Sequence, residues 1–477
     1  MASENLLNYI WKTQILPQAG YSFSRLHSVG YSLIALQEMN LAHYYPQVYW
    51  NTACLSVNAG ADENNDDNKG TKYGKVATAI ENMKRRGIQV DLPDINKAGF
   101  GFKPNVETNS IIFGLKGLNG IGDDLVHLII ENRPYHSFED FVNRMYDTKI
   151  VKKKQMIQLI KGGCFEAFGD RKEIMRKFIN HIFEPKEKLT MANFKQIIEL
   201  GLVPEKFKLN VRFFRFKDYI SKFVYKTVQK PKDKLFILDD ISAQFLNEHF
   251  SEECIKDVVD GRLIISEKQF KKEYDKKMEC VKEWLSQEET LKLFNNQLLE
   301  LEWEANASGT ISEWEMSSLS FYHSEHELVH LNKDKYGVSN FFELPEEPIV
   351  VKTYISKGIE RSIFELTRIA GTVLDKDKNK HTITLLTLEG VVTVKFYAGN
   401  FSWYNKQISE KGSDGKKTIL ESSWFTRGNK LLITGFRRGN QFIPRTYKDS
   451  IYKHTVALIK EIDHEGNLSL QTERTMV

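Results

Sequence analysis

After Pro345 the chain changes its periodicity, and that change constrains the fold more than any other feature. The runs RIAGTVLDKD, HTITLLTLE, VVTVKFYA, KLLITGFRRG and HTVALIKEID alternate apolar with polar residues and are separated by Gly, Asp and Asn turns. Alternation with period two puts one face of each run in a core and the other in solvent. Five or so short strands at this spacing predict a small closed barrel of the OB type over residues 345–477.

Upstream the texture is helical. Tyr31, Ile34, Ala35, Met39 and Ala42 fall near one face of a helix within residues 1–57. Asn58–Gly70 is polar and cannot pack a core. A helix is expected over Lys72–Arg86, ended by Gly87 at the C′ position. The prolines and glycines of IQVDLPDINKAGFGF call for an extended path, followed by a strand at Ser110–Phe113. Short helices joined by glycine turns follow from Leu115 to about Phe183, completing a helix-hairpin-helix DNA-binding domain expected over 71–185, and longer, charged amphipathic helices are expected over 186–344. The predicted class is multidomain α+β: a mostly helical N-terminal two-thirds with a helix-hairpin-helix element, then the barrel.

Composition excludes more than it selects. A chain of 477 residues with 27% charged and 41% hydrophobic residues can bury several cores. No apolar run approaches the roughly 20 residues that span a bilayer, and no signal pattern opens the chain, so no membrane partner and a cytoplasmic location are expected. Cys54, Cys164, Cys254 and Cys280 lack paired ligand spacing and predict neither a zinc site nor disulfides. The net charge of +4 is too small to imply nucleic acid by itself, and the basic runs Lys149–Lys154 and Lys226–Lys234 are read as solvated surface.

The sharpest motif is LKGLNGIGDDLVHLIIENR, residues 115–133. Gly120 and Gly122 let a backbone approach a partner closely, and the helix that follows points free N–H groups at it. Lys116, Asn119, Gly120, Ile121 and Gly122 are therefore the candidate contacts to a DNA backbone, made without reading sequence. Asp140 stands where a base-excision glycosylase would carry its catalytic acid, but between Phe138 and Phe141 it reads more simply as a helix-start acid. Asp91 and Asp94 flank Pro93 without a strand-borne partner acid, so a structural turn is expected rather than a two-metal site. No Walker loop, HExxH motif, nucleophile elbow or dinucleotide-binding glycine pattern is present.

Several segments together resemble one family. GYSFSRLHSVGYSLIALQ is similar to a fingers segment of family C replicative DNA polymerases, the DNA polymerase III alpha type, and HYYPQVYWNTACL resembles its continuation. IENMKRRGIQVDLPDIN, IIFGLKGLNGIG, SFEDFVNR, LIKGGCFEAFG and WEMSSLSFYHSEHEL resemble further segments in family order, with Glu327 where many relatives have proline.

The resemblance implies a C-terminal portion of such a polymerase. Arg25, His27, Ser28 and Tyr31 would face the incoming nucleotide, Arg25 suiting triphosphate oxygens, although His27 and Tyr31 fit a packed core as well. The barrel would hold single-stranded template, and Phe396, Tyr397, Phe401, Trp403 and Tyr404 suit either base stacking or packing. TLKLF resembles a sliding-clamp peptide through Leu291, Leu293 and Phe294, with Thr290 in the glutamine place; helical apolar spacing accounts for it equally. The family's catalytic carboxylates lie in the palm, upstream of any residue here. This chain is thus expected to hold no cofactor and to have no catalytic residue, with Mg2+ bound in the complete polymerase and the palm supplied by a second, N-terminal polypeptide. A phage or low-GC bacterial origin fits the Asn-, Lys- and Ile-rich texture. The rival reading is a non-catalytic DNA-binding or clamp-tethering module.

Overall fold

The computed structural model describes residues 3–18, 25–59, 73–226, 233–356, 358–411 and 417–475. One unit joins Met1–Ile174 to Gly309–Val477, and Met175–Ser308 forms a second. The first begins with helices α1 (Glu4–Ile10), α2 (Arg25–Tyr44), α3 (Gln47–Ala59) and α4 (Tyr73–Lys84). Gly87, at φ 78°, turns the chain after α4 and lets the Ile88 N–H donate to the Met83 carbonyl at 3.0 Å. β1 (Gln89–Asp91) then pairs in parallel with β3 (Ser110–Ile112), which pairs antiparallel with β2 (Lys103–Asn105). α5 (Asp123–Glu131), α6 (Phe138–Phe141) and α7 (Lys153–Lys161) follow, and α8 (Arg171–Ile182) carries the chain across the boundary into the second unit.

The expected face of α2 is not buried. Tyr31, Ile34, Ala35 and Met39 are exposed and Ala42 is half-buried. Val29, Leu33, Leu36 and Leu41 are exposed too, so apolar side chains surround the helix. α3, by contrast, buries Val48, Leu55 and Ala59.

The second unit contains α9 (Phe194–Glu199), α10 (Lys208–Ile220), α11 (Asp240–His249), α12 (Glu267–Lys277), α13 (Glu279–Leu285) and α14 (Glu288–Ala307). These surround an antiparallel sheet of β4 (Val224–Tyr225), β5 (Leu235–Ile237), β6 (Ile255–Val259) and β7 (Arg262–Ser266), in the order β4-β5-β7-β6. Strands of two to five residues are too short to display a period, so the sequence predicts helices alone here. Phe194, Phe213, Phe216, Phe250, Phe270 and Phe294 build the core.

Residues 309–344, expected with the charged helices, belong to the first unit. They carry α15 (Ile311–Ser318) and α16 (Lys333–Tyr336) and lead to the hairpin β8 (Val350–Ser356)–β9 (Ile359–Phe364). The barrel then runs through β10 (Thr367–Asp377), β11 (Thr382–Thr387), β12 (Gly390–Lys395), α17 (Ala398–Asn405), the hairpin β13 (Ile408–Lys411)–β14 (Lys417–Glu421), β15 (Lys430–Arg438) and β16 (Gln441–Pro444). The order β10-β11-β12-β16-β15, closed by β10 pairing with β15, makes a five-stranded ring with β12 and β16 parallel. This is the OB arrangement expected from the sequence, with one exchange. HTVALIKEID forms β17 (Val456–Ile462), which pairs with the first half of β15 and with β18 (Leu468–Gln471). The ring's fifth strand is β16, four residues ending in Pro444, too brief to stand out in sequence.

Candidate nucleic-acid interface

The glycine hairpin runs from a 3-10 turn at Leu115–Gly117 into α5. Of its five candidate contacts, three are engaged inside the protein. Lys116 is ion-paired with Asp123, and Ile121 is buried. Asn119 donates its backbone N–H to the Ser318 carbonyl at 2.8 Å and its amide to the Ser317 carbonyl at 3.1 Å. Gly120 and Gly122 remain open, and a Cβ on either would meet nothing within 4 Å. Gly120 needs its glycine for φ 77°; Gly122, at φ −91°, does not. The fold itself would therefore accept a side chain at Gly122, and the free space suits an approaching partner backbone.

Electrostatics work differently at a second hairpin, between the Val142–Tyr146 helical turn and α7. Asp123 and Asp124 occupy the first turn of α5, whereas the first turn of α7 has no acid. Lys149, at φ 65°, together with Lys152 and Lys154, is exposed around that turn. Val151 beneath them is buried. The lysine run read as solvated surface is thus part of a tight turn leading into a helix N-terminus, a setting that favours phosphate. Its position could have been suspected from KIVKKK preceding an apolar-periodic helix.

Both hairpins rest on the segment 310–328. Ser318 Oγ donates to the Gln158 carbonyl of α7 at 2.8 Å, beside the Asn119 contacts. Glu315 is fully buried, accepting from Arg171 at 3.2 Å, from the His323 and Ser324 N–H groups at 2.9 Å and from Ser324 Oγ at 2.8 Å. The same segment grips the barrel: Tyr322 OH lies 2.9 Å from Thr372 Oγ1, and Lys430 bridges Glu313 at 3.0 Å and Glu327 at 3.1 Å. Burial lifts the Glu327 carboxyl above its usual range; it would lower Lys430, but Glu327 and Glu313 outweigh it and raise the ammonium instead. Burial also pushes the His326 imidazole down to about 4, so it is neutral at pH 7, with Nε2 3.3 Å from the Leu386 carbonyl.

On the barrel, Phe396 and Phe401 are core residues and Tyr404 packs against that core, so these three do not offer stacking faces. Tyr397 and Trp403 are 58% and 47% exposed. Because β12 and β16 run parallel, the residues that follow them meet: the Arg445 guanidinium lies 5.8 Å from the Tyr397 ring. Thr384, Thr393 and Lys395 continue that face, half-buried, while Lys378 and Lys380 are exposed in the β10–β11 turn. At the other end of the same strands, Ala77 of α4 packs with Leu374 and Leu386 and covers the surface.

Arg25 opens α2, and its side chain lies outside the described residues. His27, Ser28 and Tyr31 are exposed, with the His27 and Tyr31 rings 4.5 Å apart. In TLKLF, Phe294 is 1% exposed in the second unit's core and Leu291 packs against it; of the three candidate clamp contacts Leu293 alone is open, at 49%. A clamp-type peptide would have to unwind the start of α14, and helical core packing accounts for the spacing. Asp140 accepts from the His136 N–H and from Arg144, which hold its carboxyl below the usual range in the first turn of α6. Asp94 accepts from the Asn96 and Lys97 N–H groups in a turn, and Asp91 bonds Ser110. Among the described residues, no group of three or more His, Cys, Asp or Glu could hold a metal ion, and no helix is long and apolar enough to cross a membrane.

Residues 87–174, which span both hairpins, match the helix-hairpin-helix motif family. A DNA-directed DNA polymerase of Bacillus phage SPbeta is 58% identical over 480 residues, covering 100% of this chain and 37% of that relative. The "Probable DNA polymerase YorL" of Bacillus subtilis matches to the same extent. The DNA polymerase III subunit alpha of Borreliella burgdorferi is 34% identical over 172 residues, 35% of this chain and 14% of that protein. The chain therefore spans about two-fifths of the length of the relatives it matches throughout.

Proposed function

We propose, for a chain that belongs to the DNA polymerase III alpha type of replicative polymerase, that it supplies the part of the enzyme that grips DNA behind the active site. In this reading the two hairpins hold the primer–template duplex and the barrel holds single-stranded template. The observation that carries it is the open backbone at Gly120 and Gly122, beside a lysine-bearing second hairpin and fixed to the barrel by 310–328. Hairpin backbones and exposed lysines suit duplex phosphates irrespective of sequence. Tyr397, with Arg445 beside it, suits a stacked base.

The palm carboxylates and their Mg2+ ions would be held by chain outside these 477 residues. In support, α2 exposes apolar side chains on every side, among them Val29, Tyr31, Leu33, Ile34, Leu36, Met39 and Leu41, and such surface is ordinarily covered within a larger assembly. Arg25, His27, Ser28 and Tyr31 would then meet the nucleotide once that assembly forms. The test is to mix the purified chain with a polypeptide carrying the palm and follow primer extension. Association with restored synthesis is expected, and failure to associate at all sinks the proposal. Magnesium-dependent nucleotide incorporation by the pure chain alone would overturn the assignment of catalysis elsewhere.

A further inference from the structure

The second unit carries a hollow of about 420 Å³ between α10 and α11. Phe216 and Phe245 form its floor, Tyr219 and Ile241 its walls, and Arg212 and Arg215 its rim. Ile241 is 82% exposed and Tyr219 42%, and exposed Phe223, its ring 5.0 Å from that of Tyr219, extends the apolar surface. Nothing in the fold of this unit needs these side chains in solvent.

Charge at the rim is unbalanced. Asp239 also lines the hollow, but it is engaged: it accepts from Tyr219 OH at 2.6 Å and from the Ser242 N–H at 2.8 Å, capping α11. Neither Arg212 nor Arg215 has an ion-pair partner among the described residues. Two guanidinium forks beside an apolar hollow, one turn apart on α10, are equipped for carboxylates with a bulky apolar group between them.

A stacked nucleobase fits less well. The Arg212 guanidinium covers the Phe245 ring at 5.0 Å, Phe216 is buried, and Tyr219 is turned against Phe223. Each ring of the hollow already has a neighbour against it, whereas an aliphatic or phenyl side chain needs only depth. We propose that this hollow is a docking site for a short acidic segment of a partner protein, anchored by a Leu or Phe side chain.

The test begins with peptide-phage selection on the full chain, followed by fluorescence anisotropy with the selected peptide. Selected sequences should share a Leu or Phe flanked by Asp or Glu. Their affinity should fall about tenfold or more in the double variant Arg212→Glu/Arg215→Glu and again in Ile241→Asp. Both sets of positions are exposed, and unchanged thermal unfolding would show that the variants fold. Selection without an acidic–apolar consensus overturns the proposal, as does a consensus peptide that binds both variants normally. An oligo-dT strand that loses affinity in both variants, while the peptides never bind, would assign the hollow to nucleic acid and likewise overturn it.

Discussion

The two hairpins of the first unit share a scaffold and differ in nearly everything else. The first offers bare backbone at Gly120 and Gly122 and carries Asp123 and Asp124 at the start of its helix. The second has no glycine in its turn, takes its left-handed residue from Lys149, and surrounds an acid-free helix start with exposed lysines. On the proposed reading, close approach and charge are thus provided separately. The difference teaches that a sequence motif can mark the place where a partner comes nearest without marking where most of the attraction arises.

The comparison breaks most completely if the shared support is removed. Glu315→Ala leaves Arg171 with one fewer carboxylate and strips the 310–328 segment of its buried acceptor. Removing one partner of a buried pair costs about 3–5 kcal/mol, so the first unit should unfold at markedly lower denaturant, and DNA binding through both hairpins should fail together. Loss of only one hairpin's contribution would show that they are not held in common.

Acid should act on the same support. His326 is buried neutral with a pKa of about 4 against an ordinary 6.5, so unfolded chain binds its proton first. Its contribution is complete above pH 6.5 and is lost as pH falls from there through about 4, on the order of 3 kcal/mol. Denaturant midpoints measured across that window should fall with pH, and the His326→Asn variant should flatten the part of the slope due to this group. An unchanged slope would remove His326 from the account.

The hairpins can then be separated. Reversing Lys149, Lys152 and Lys154 to Glu should weaken duplex binding by about thirtyfold at moderate salt and reduce the salt slope by up to about 3. A slope that does not change would place the charge contacts elsewhere. Gly122→Asn should leave stability within about 0.5 kcal/mol of the parent, because its Cβ meets nothing and Asn suits the N-cap of α5, yet weaken duplex binding by about fivefold. Equal binding by this variant would mean that no backbone approaches Gly122.

Legibility followed the length of the signal. An alternating strand such as β12, the stop at Gly87 and the turn at Gly120 are readable, because period two and left-handed glycines leave local marks, whereas β10 and β15 each bury six consecutive residues and are covered on both faces. β16 is not readable, since four residues ending in proline carry no period. α2 misled for a physical reason: a helix surrounded by apolar residues offers an apparent face in whatever direction is tallied. Phe294 fitted a docking peptide and a helix core alike, and only packing decides between those. Glu315 gave no signal at all, because an acid's burial depends on Arg171, 144 residues away.

That separation has a consequence for how the chain tolerates change. Arg171 and Glu315 sit on either side of the whole second unit, so their contact closes a loop that contains it. The entropy of closing a loop grows only with the logarithm of its length, about 0.6 kcal/mol for each doubling. The ion pair is therefore nearly indifferent to what is strung between its partners. An insert of twice the size, or one with an unrelated fold, would weaken this closure less than the loss of a single buried hydrogen bond.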